Sequence, residues 1–165
     1  MARSHRVTPG PGQESVWDYP RPPRLERGTR RVRIQLGGSV ILDTTDSWRA
    51  LETSHPPTVY VPRSAFTGCE LRPAGQRTRC EWKGTASYVD LVVGDVVAPA
   101  VAWGYPEPTP AFAPLAAYLT VYPEGVDGVW LDDEPVRPQP GGFYGGWVTE
   151  DVVGPFKGEP GTMFW

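Results

Sequence analysis

Apolar and polar positions alternate along much of the chain with the period of two that is typical of half-buried β-strands. The clearest example is RRVRIQL, where Val32, Ile34 and Leu36 alternate with charged or amide side chains. The dipeptide Gly37-Gly38 follows directly and predicts a tight hairpin into the next apolar segment, SVILDT. The sequence therefore predicts a pair of antiparallel strands here.

Further strands are predicted on the same grounds in TVYVP, TRCEW, ASYVDLVV, VVAPAVAWGYP and VDGVWL. One segment, PAFAPLAAYLTVYP, instead spaces its apolar residues at helical intervals, with Thr109 as a candidate N-cap and Pro123 as the stop. The 19 Gly and 20 Pro residues also favour turns and short strands. We expect a mainly β fold (α+β at most), a compact sheet sandwich with one short helix and a wrapping C-terminal tail.

Composition changes along the chain divide its 165 residues into four parts around a single domain. Residues 1–15 are rich in Pro, Gly, Ser and Arg and predict a disordered basic arm. Residues 16–30 suit an extended, Pro-rich segment packed on the body. Residues 31–136 form the predicted β-rich core domain, and the aromatic and Gly-rich tail, 137–165, is expected to wrap it and cover strand edges.

Charge and hydropathy exclude some classes of partner. The six arginines among the first thirty residues are scattered and lack an aromatic stacking platform, so a solvated arm is the simpler interpretation and a nucleic-acid partner is not expected. No run of eighteen apolar residues exists and the first residues contain no apolar signal segment. We expect a cytoplasmic protein that does not enter a membrane.

The segment CEWKG, residues 80–84, carries the densest candidate chemistry. In a strand, Cys80 and Trp82 would share one face and Lys83 would lie on the other. Trp82 is then a core residue, and Cys80 is either a small buried hydrophobe or, beside a cation, a nucleophilic thiolate. Lys83 could turn inward to hold an anion or react as an amine; the alternative is a surface lysine at a hairpin tip.

Aromatic residues suggest the walls of a ligand pocket. Trp103 and Tyr105 are separated by one glycine and could flank a slot for a planar group, although core packing explains them equally well. Arg63 could supply a fork for an anion. The full set of candidate ligand-binding residues is Trp82, Tyr88, Trp103, Tyr105, Arg63 and Tyr60.

Neither a metal nor a cofactor is predicted. Cys69 and Cys80 lie eleven residues apart, so a zinc site would need His5 or His55 and carboxylates in addition. The acidic run Asp132-Asp133-Glu134 is more typical of a solvated turn than of a cation site. Motifs for phosphate loops, dinucleotide binding, hydrolase serines and zinc proteases are all missing.

Several segments together resemble the bacterial family called domain of unknown function 427, in its long actinobacterial form. They include VWDYPRPPRLE, RCEWKGTASYVDLVVG, AWGYPEPTPAF and RPQPGGFYGGWVTEDVVGPFKGEPGT, and the resemblance covers about residues 16–165. The resemblance implies a compact fold of the β-tent type, and it brings no zinc, because the cysteines of zinc-bearing β-tent proteins have no counterpart here. The family motif includes Lys83. Folding alone explains a lysine in the motif poorly, because a lysine at a solvated hairpin tip should be replaceable.

These observations predict a small-molecule binding protein whose aromatic pocket is anchored by Lys83 and takes an anionic or planar metabolite. Whether it is an enzyme stays open; Lys83 and Cys80 are the candidate catalytic residues. The alternative is a non-catalytic interaction module that uses the N-terminal arm and C-terminal tail, and a homodimer is also considered.

Overall fold

The computed structural model describes residues 6–165. Short strands dominate this part of the chain: β1 (Glu14–Ser15), β2 (Arg24–Arg27), β3 (Val32–Leu36), β4 (Ser39–Thr44), β5 (Trp48–Leu51), β6 (Thr58–Pro62), β7 (Glu70–Cys80), β8 (Gly84–Val93), β9 (Val96–Gly104), β10 (Tyr118–Val121), β11 (Gly128–Leu131), β12 (Glu134–Pro135), β13 (Arg137–Pro138), β14 (Trp147–Val148) and β15 (Val152–Val153). The helical segments are 3-10 helices at Val16–Asp18, Arg63–Ala65, Pro110–Ala117 and Pro123–Gly125. Within residues 6–165, none of these helices combines the length and apolar character that crossing a bilayer would require.

The strands form two main sheets. The larger is fully antiparallel, with strand order β2-β5-β6-β10-β9-β8-β7, and the smaller has the order β12-β11-β3-β4. The predicted hairpin joins β3 to β4 through Gly37 and Gly38, whose φ angles of 61° and 78° suit glycine. The predicted mainly β sandwich is therefore confirmed.

The two faces of the large sheet bury different side chains. Alternation along β6 sends Val59 and Val61 toward the small sheet, where they join an aliphatic core that includes Ile34. The same alternation sends Tyr60 to the opposite face, together with Trp103 of β9 and other aromatic residues. The period of two thus separates an aliphatic core from an aromatic face.

The predicted helix covers only part of its segment. Pro110–Ala117 is a 3-10 helix, whereas Tyr118–Val121, assigned by apolar spacing to the same helix, forms β10 between β6 and β9. Phe112 has a non-helical conformation that kinks this helix, and Pro114 has no backbone N–H to donate, so a regular α-helix does not form. The prediction was wrong for 118–121 because pairing with two neighbouring strands outweighs helical spacing.

Segments near both ends of the described residues 6–165 pack against other parts of the protein. Glu14–Ser15 pairs in parallel with Val152–Val153, although composition predicted disorder through residue 15. Residues 1–5 of the predicted arm, including the candidate zinc ligand His5, lie outside the described residues. In the tail, Trp147 is only 1% exposed, and its Nε1 donates a hydrogen bond of 3.0 Å to the Val121 carbonyl oxygen. This bond fixes the tail against a central strand of the large sheet.

Candidate functional site

A cavity of about 560 Å³ lies on the aromatic face of the large sheet. Strands β6, β7, β8 and β9 form its base, and the tail segment 142–145 forms part of its wall. Six of the eight predicted site residues line it: Tyr60, Cys80, Lys83, Tyr88, Trp103 and Tyr105. The sheet therefore brings together residues that are up to 45 positions apart in the sequence.

Three aromatic rings form a row along one wall. Tyr88 and Trp103 are register partners on β8 and β9, with ring centroids 6.2 Å apart and planes at 30°. Tyr122 continues the row, 4.3 Å from Trp103. Burial raises the pKa of Tyr122 to about 12, so its phenol stays protonated at neutral pH. The row therefore lines the cavity with aromatic rings and with the hydroxyl groups of two tyrosines.

Lys83 is buried at the edge of this row. Its side chain is 9% exposed, and Nζ lies 5.8 Å from the centroid of the Tyr105 ring and 6.0 Å from that of Phe112. Within the described residues, no carboxylate lies within 4.0 Å of this ammonium group. Lysine is rarely buried without a charged partner. The ammonium group therefore lies in the cavity wall without a carboxylate partner among the described residues.

The turn before β8 sets the direction of Lys83. Strand β7 ends at Cys80, so the expectation that Trp82 continues the strand, with Cys80 and Lys83 on opposite faces, was wrong. Thr109 holds the turn through two hydrogen bonds. Its backbone N–H donates to the Lys83 carbonyl oxygen at 3.0 Å, and its hydroxyl group donates to the Trp82 carbonyl oxygen at 2.6 Å. Gly84 completes the turn with a φ of 110°. This reversal turns Cys80 and Lys83 toward one cavity.

A second polar group lines the cavity around His55. Gln139, 2% exposed, accepts a hydrogen bond from the Gly146 N–H at its Oε1, so its Nε2 is the donor. That Nε2 lies 3.1 Å from His55 Nδ1 and donates to the Lys157 carbonyl oxygen at 2.8 Å. With Nδ1 accepting, the ring proton is on Nε2, 3.5 Å from a Glu52 carboxylate oxygen.

Burial sets the protonation of these side chains. It lowers the pKa of His55 to about 4, against the opposing effect of Glu52, so the imidazole is neutral at pH 7. It also raises the pKa of Tyr60 and of Tyr105 well above the usual value, so both phenols remain protonated donors. The cavity therefore offers neutral donors beside one buried ammonium and one carboxylate.

Two predicted residues lie away from this cavity. Arg63 is exposed at the start of its 3-10 helix and lines a separate surface groove with Tyr118. Trp82 is partly buried against the aromatic cluster and does not line the cavity. Arg63 lies outside this cavity because β6 ends at Pro62 and Arg63 begins the next 3-10 helix.

The cysteines and acidic residues are placed separately. Cys69 packs against the aliphatic core and Cys80 against the aromatic cluster, and both thiols are free. Asp132 pairs with Arg30 at 3.0 Å, so part of the acidic run is neutralised by arginine. Across residues 6–165, no group of three or more His, Cys, Asp or Glu side chains is arranged to hold a metal.

Sequence patterns had not assigned Glu52, Gln139 or Tyr122 to the site. Tyr122 was hidden by the helical interpretation of its segment, and Gln139 lies in a Pro- and Gly-rich stretch without periodicity. A polar residue between prolines near the GGFYGG sequence was the available signal for Gln139. Only the fold shows that it meets His55.

The family known as domain of unknown function 427 (DUF427) matches residues 24–132, about two thirds of the chain. The chain belongs to this family, as the resemblance predicted. The matched range contains Lys83 and the aromatic row, whereas Gln139 and the tail wall lie beyond it. No curated protein matches the chain.

Proposed function

We propose that the protein binds a small, planar, anionic metabolite in the cavity of the aromatic face, with Lys83 as the charge anchor. The observation that carries this proposal is a 9% exposed lysine that has no carboxylate within 4.0 Å among the described residues, in the wall of a cavity of about 560 Å³. A bound anion would supply the missing partner of the ammonium. The volume lies within the range of small-molecule sites.

The aromatic row supports the planar part of the proposal. Tyr88, Trp103 and Tyr122 line the cavity, and a flat ligand can pack against this row of rings. The neutral His55 imidazole and the Glu52 carboxylate offer one donor and one acceptor for the polar edge of such a ligand. The site is thus equipped to orient its ligand as well as to hold its charge.

The proposal leaves room for turnover. Lys83 is the candidate acid, base or amine, and Cys80, which lines the same cavity, is the candidate nucleophile. We place this function in the cytoplasm because both cysteines are unpaired, as is usual in a reducing compartment.

The test is a metabolite screen by thermal shift and native mass spectrometry on the parent protein and two variants. Lys83→Met removes the anchor, whereas Lys157→Met is the matched control, because its ammonium donates to the Trp165 carbonyl oxygen outside the cavity lining. A ligand that stabilises the parent and the control but not Lys83→Met supports the proposal. Ligands that bind all three proteins equally contradict the anchor.

The exposed tail favours a second candidate, the interaction module. Phe143 is 75% exposed and Phe164 is 94% exposed, and both belong to the tail. Large exposed apolar side chains are common at protein interfaces, including those of homodimers. Light scattering after size exclusion, with Phe143→Ser and Phe164→Ser, tests self-association: an oligomer that dissociates in these variants supports this candidate, and a monomeric parent contradicts the homodimer.

A further inference from the structure

Lysine is scarce in this chain. Of its 16 basic residues, 14 are arginine and only two, Lys83 and Lys157, are lysine. Ion pairs on the surface are made by arginine throughout residues 6–165. The cations of these ion pairs are all arginine, so a lysine in the wall of the cavity calls for a separate explanation.

Lys157 has such an explanation in its contacts. Its Nζ donates a hydrogen bond of 3.0 Å to the Trp165 carbonyl oxygen and lies 5.7 Å from the centroid of the Tyr144 ring. A single donor of this kind pins one part of the tail to another. Within the described residues, Lys83 Nζ makes no such hydrogen bond; it lies over the rings of Tyr105 and Phe112, 5.8 Å and 6.0 Å from their centroids.

The property that lysine has and arginine lacks is a primary amine that can form a covalent bond to carbon. We propose that Lys83 forms a reversible imine with the carbonyl group of a planar 2-oxo acid or related oxo carboxylate. This inference rests on the proposed function and specifies its ligand class. The ammonium group first releases one proton to solvent, and the resulting amine attacks the carbonyl carbon while the carbonyl π electrons move to oxygen. One proton moves from nitrogen to that oxygen and one returns from solvent, and the carbinolamine then loses water to leave a protonated imine. No electrons are gained or lost overall, and water is the only by-product.

Other groups in the cavity suit this chemistry. Arg79, an exposed residue of β7, also belongs to the cavity lining, and it forms no ion pair with a carboxylate of the described residues, so its guanidinium group is the candidate fork for the ligand carboxylate. The Tyr105 phenol remains protonated because burial raises its pKa, and it can donate a proton to the departing hydroxyl group. The neutral imidazole of His55 leaves the amine without a second cation in direct contact.

The experiment uses reductive trapping. The full chain is incubated with benzoylformate, a planar aromatic 2-oxo acid, and sodium cyanoborohydride, and the modified residue is located by peptide mass spectrometry. Mandelate, which replaces the carbonyl group by an alcohol, is the matched control ligand. Lys83→Arg keeps the charge and removes the primary amine, while Lys157→Arg makes the same change outside the cavity lining. Thermal unfolding confirms that each variant is folded.

We expect one adduct per chain, located on Lys83, retained in Lys157→Arg, lost in Lys83→Arg and absent with mandelate. An adduct spread equally over Lys157 and the α-amino group overturns the inference, because it shows ordinary amine reactivity. Binding of benzoylformate by thermal shift without an adduct overturns the imine but leaves the anchored metabolite site intact. Neither binding nor adduct overturns the imine and counts against that site for this ligand class.

Discussion

The side-chain amide of Gln139 donates a hydrogen bond of 3.1 Å to Nδ1 of His55, across 84 positions of sequence. The same amide donates to the Lys157 carbonyl oxygen and accepts from the Gly146 N–H. One buried side chain therefore connects the cavity to two points of the tail. Because the amide is 2% exposed, water cannot easily replace these three bonds.

Gln139→Ala is expected to destabilise the protein and loosen the tail. Leaving buried polar groups without partners costs about 1–3 kcal/mol, and relaxation of the tail keeps the total near the upper end, about 3 kcal/mol. Urea unfolding measures the free-energy change, and hydrogen exchange should show faster exchange over residues 140–157. Gln76→Ala, at an exposed position of β7, is the control and should change stability by less than about 0.5 kcal/mol. Equal effects of the two substitutions would contradict the role assigned to Gln139.

His55 should make the protein less stable as the pH falls from about 6.5 to about 4. The folded imidazole has a pKa of about 4, lowered by burial, against an ordinary value of 6.5. Between these two pH values the unfolded chain binds a proton that the folded chain does not, so lowering the pH favours unfolding. The stability that the neutral imidazole contributes above pH 6.5 is therefore lost as the pH falls. The loss is of the order of 3 kcal/mol at most.

The measurement is urea unfolding at several pH values, for the parent and for His55→Gln. The variant should lose less stability than the parent over this pH range, because it lacks the titrating ring. NMR provides a direct check: the chain has two histidines, and the signal absent from the variant should begin to titrate only near pH 4. A midpoint near 6.5 for that signal would contradict a buried, neutral His55.

The strands were predictable because each buries one face, and side-chain alternation therefore records burial directly in the sequence. Val32, Ile34 and Leu36 are all buried on β3, as the pattern indicates. In the structure, Tyr88 and Trp103 likewise lie on the opposite face of the large sheet from Val89. Alternation could not show that Tyr118–Val121 pairs with β6 and β9, because pairing depends on strands that are distant in sequence.

The candidate site was predictable where its residues lie on strands and not where they lie on turns or on the tail. Tyr60 lies on β6 and Trp103 on β9, where side-chain alternation decides which face each residue occupies. The direction of Lys83 depends on a turn that Thr109 holds through backbone contacts, which have no sequence signature. Gln139 depends equally on the path of the tail. Residue type suggested which side chains could bind a ligand, but tertiary contacts determine which of these side chains lie together in one cavity.

Trp147→Phe should destabilise the protein more than Trp130→Phe. Trp147 is 1% exposed within the aliphatic core and its indole N–H bonds to the Val121 carbonyl oxygen, so the smaller ring leaves both a void and an unpaired acceptor. We expect a loss of about 2–4 kcal/mol in the free energy of unfolding. Trp130 is partly exposed, with Arg33 5.8 Å from its ring centroid, and should lose about 1 kcal/mol or less. Losses of similar size in a denaturant series would show that the tail is not anchored through Trp147.

Gly84→Ala should weaken ligand binding as well as stability, because Gly84 belongs to the turn that directs Lys83. Its φ is 110°, and an added Cβ would lie 3.2 Å from the Glu107 carbonyl oxygen, so the turn must shift. Gly75→Ala is the matched control: its φ is 79°, but nothing lies within 4 Å of the added Cβ. Both variants carry backbone strain of about 1–3 kcal/mol. Calorimetric titration with a ligand from the metabolite screen should show weaker binding only in Gly84→Ala. Equal affinities of the two variants would show that ligand binding by Lys83 does not depend on the geometry of this turn.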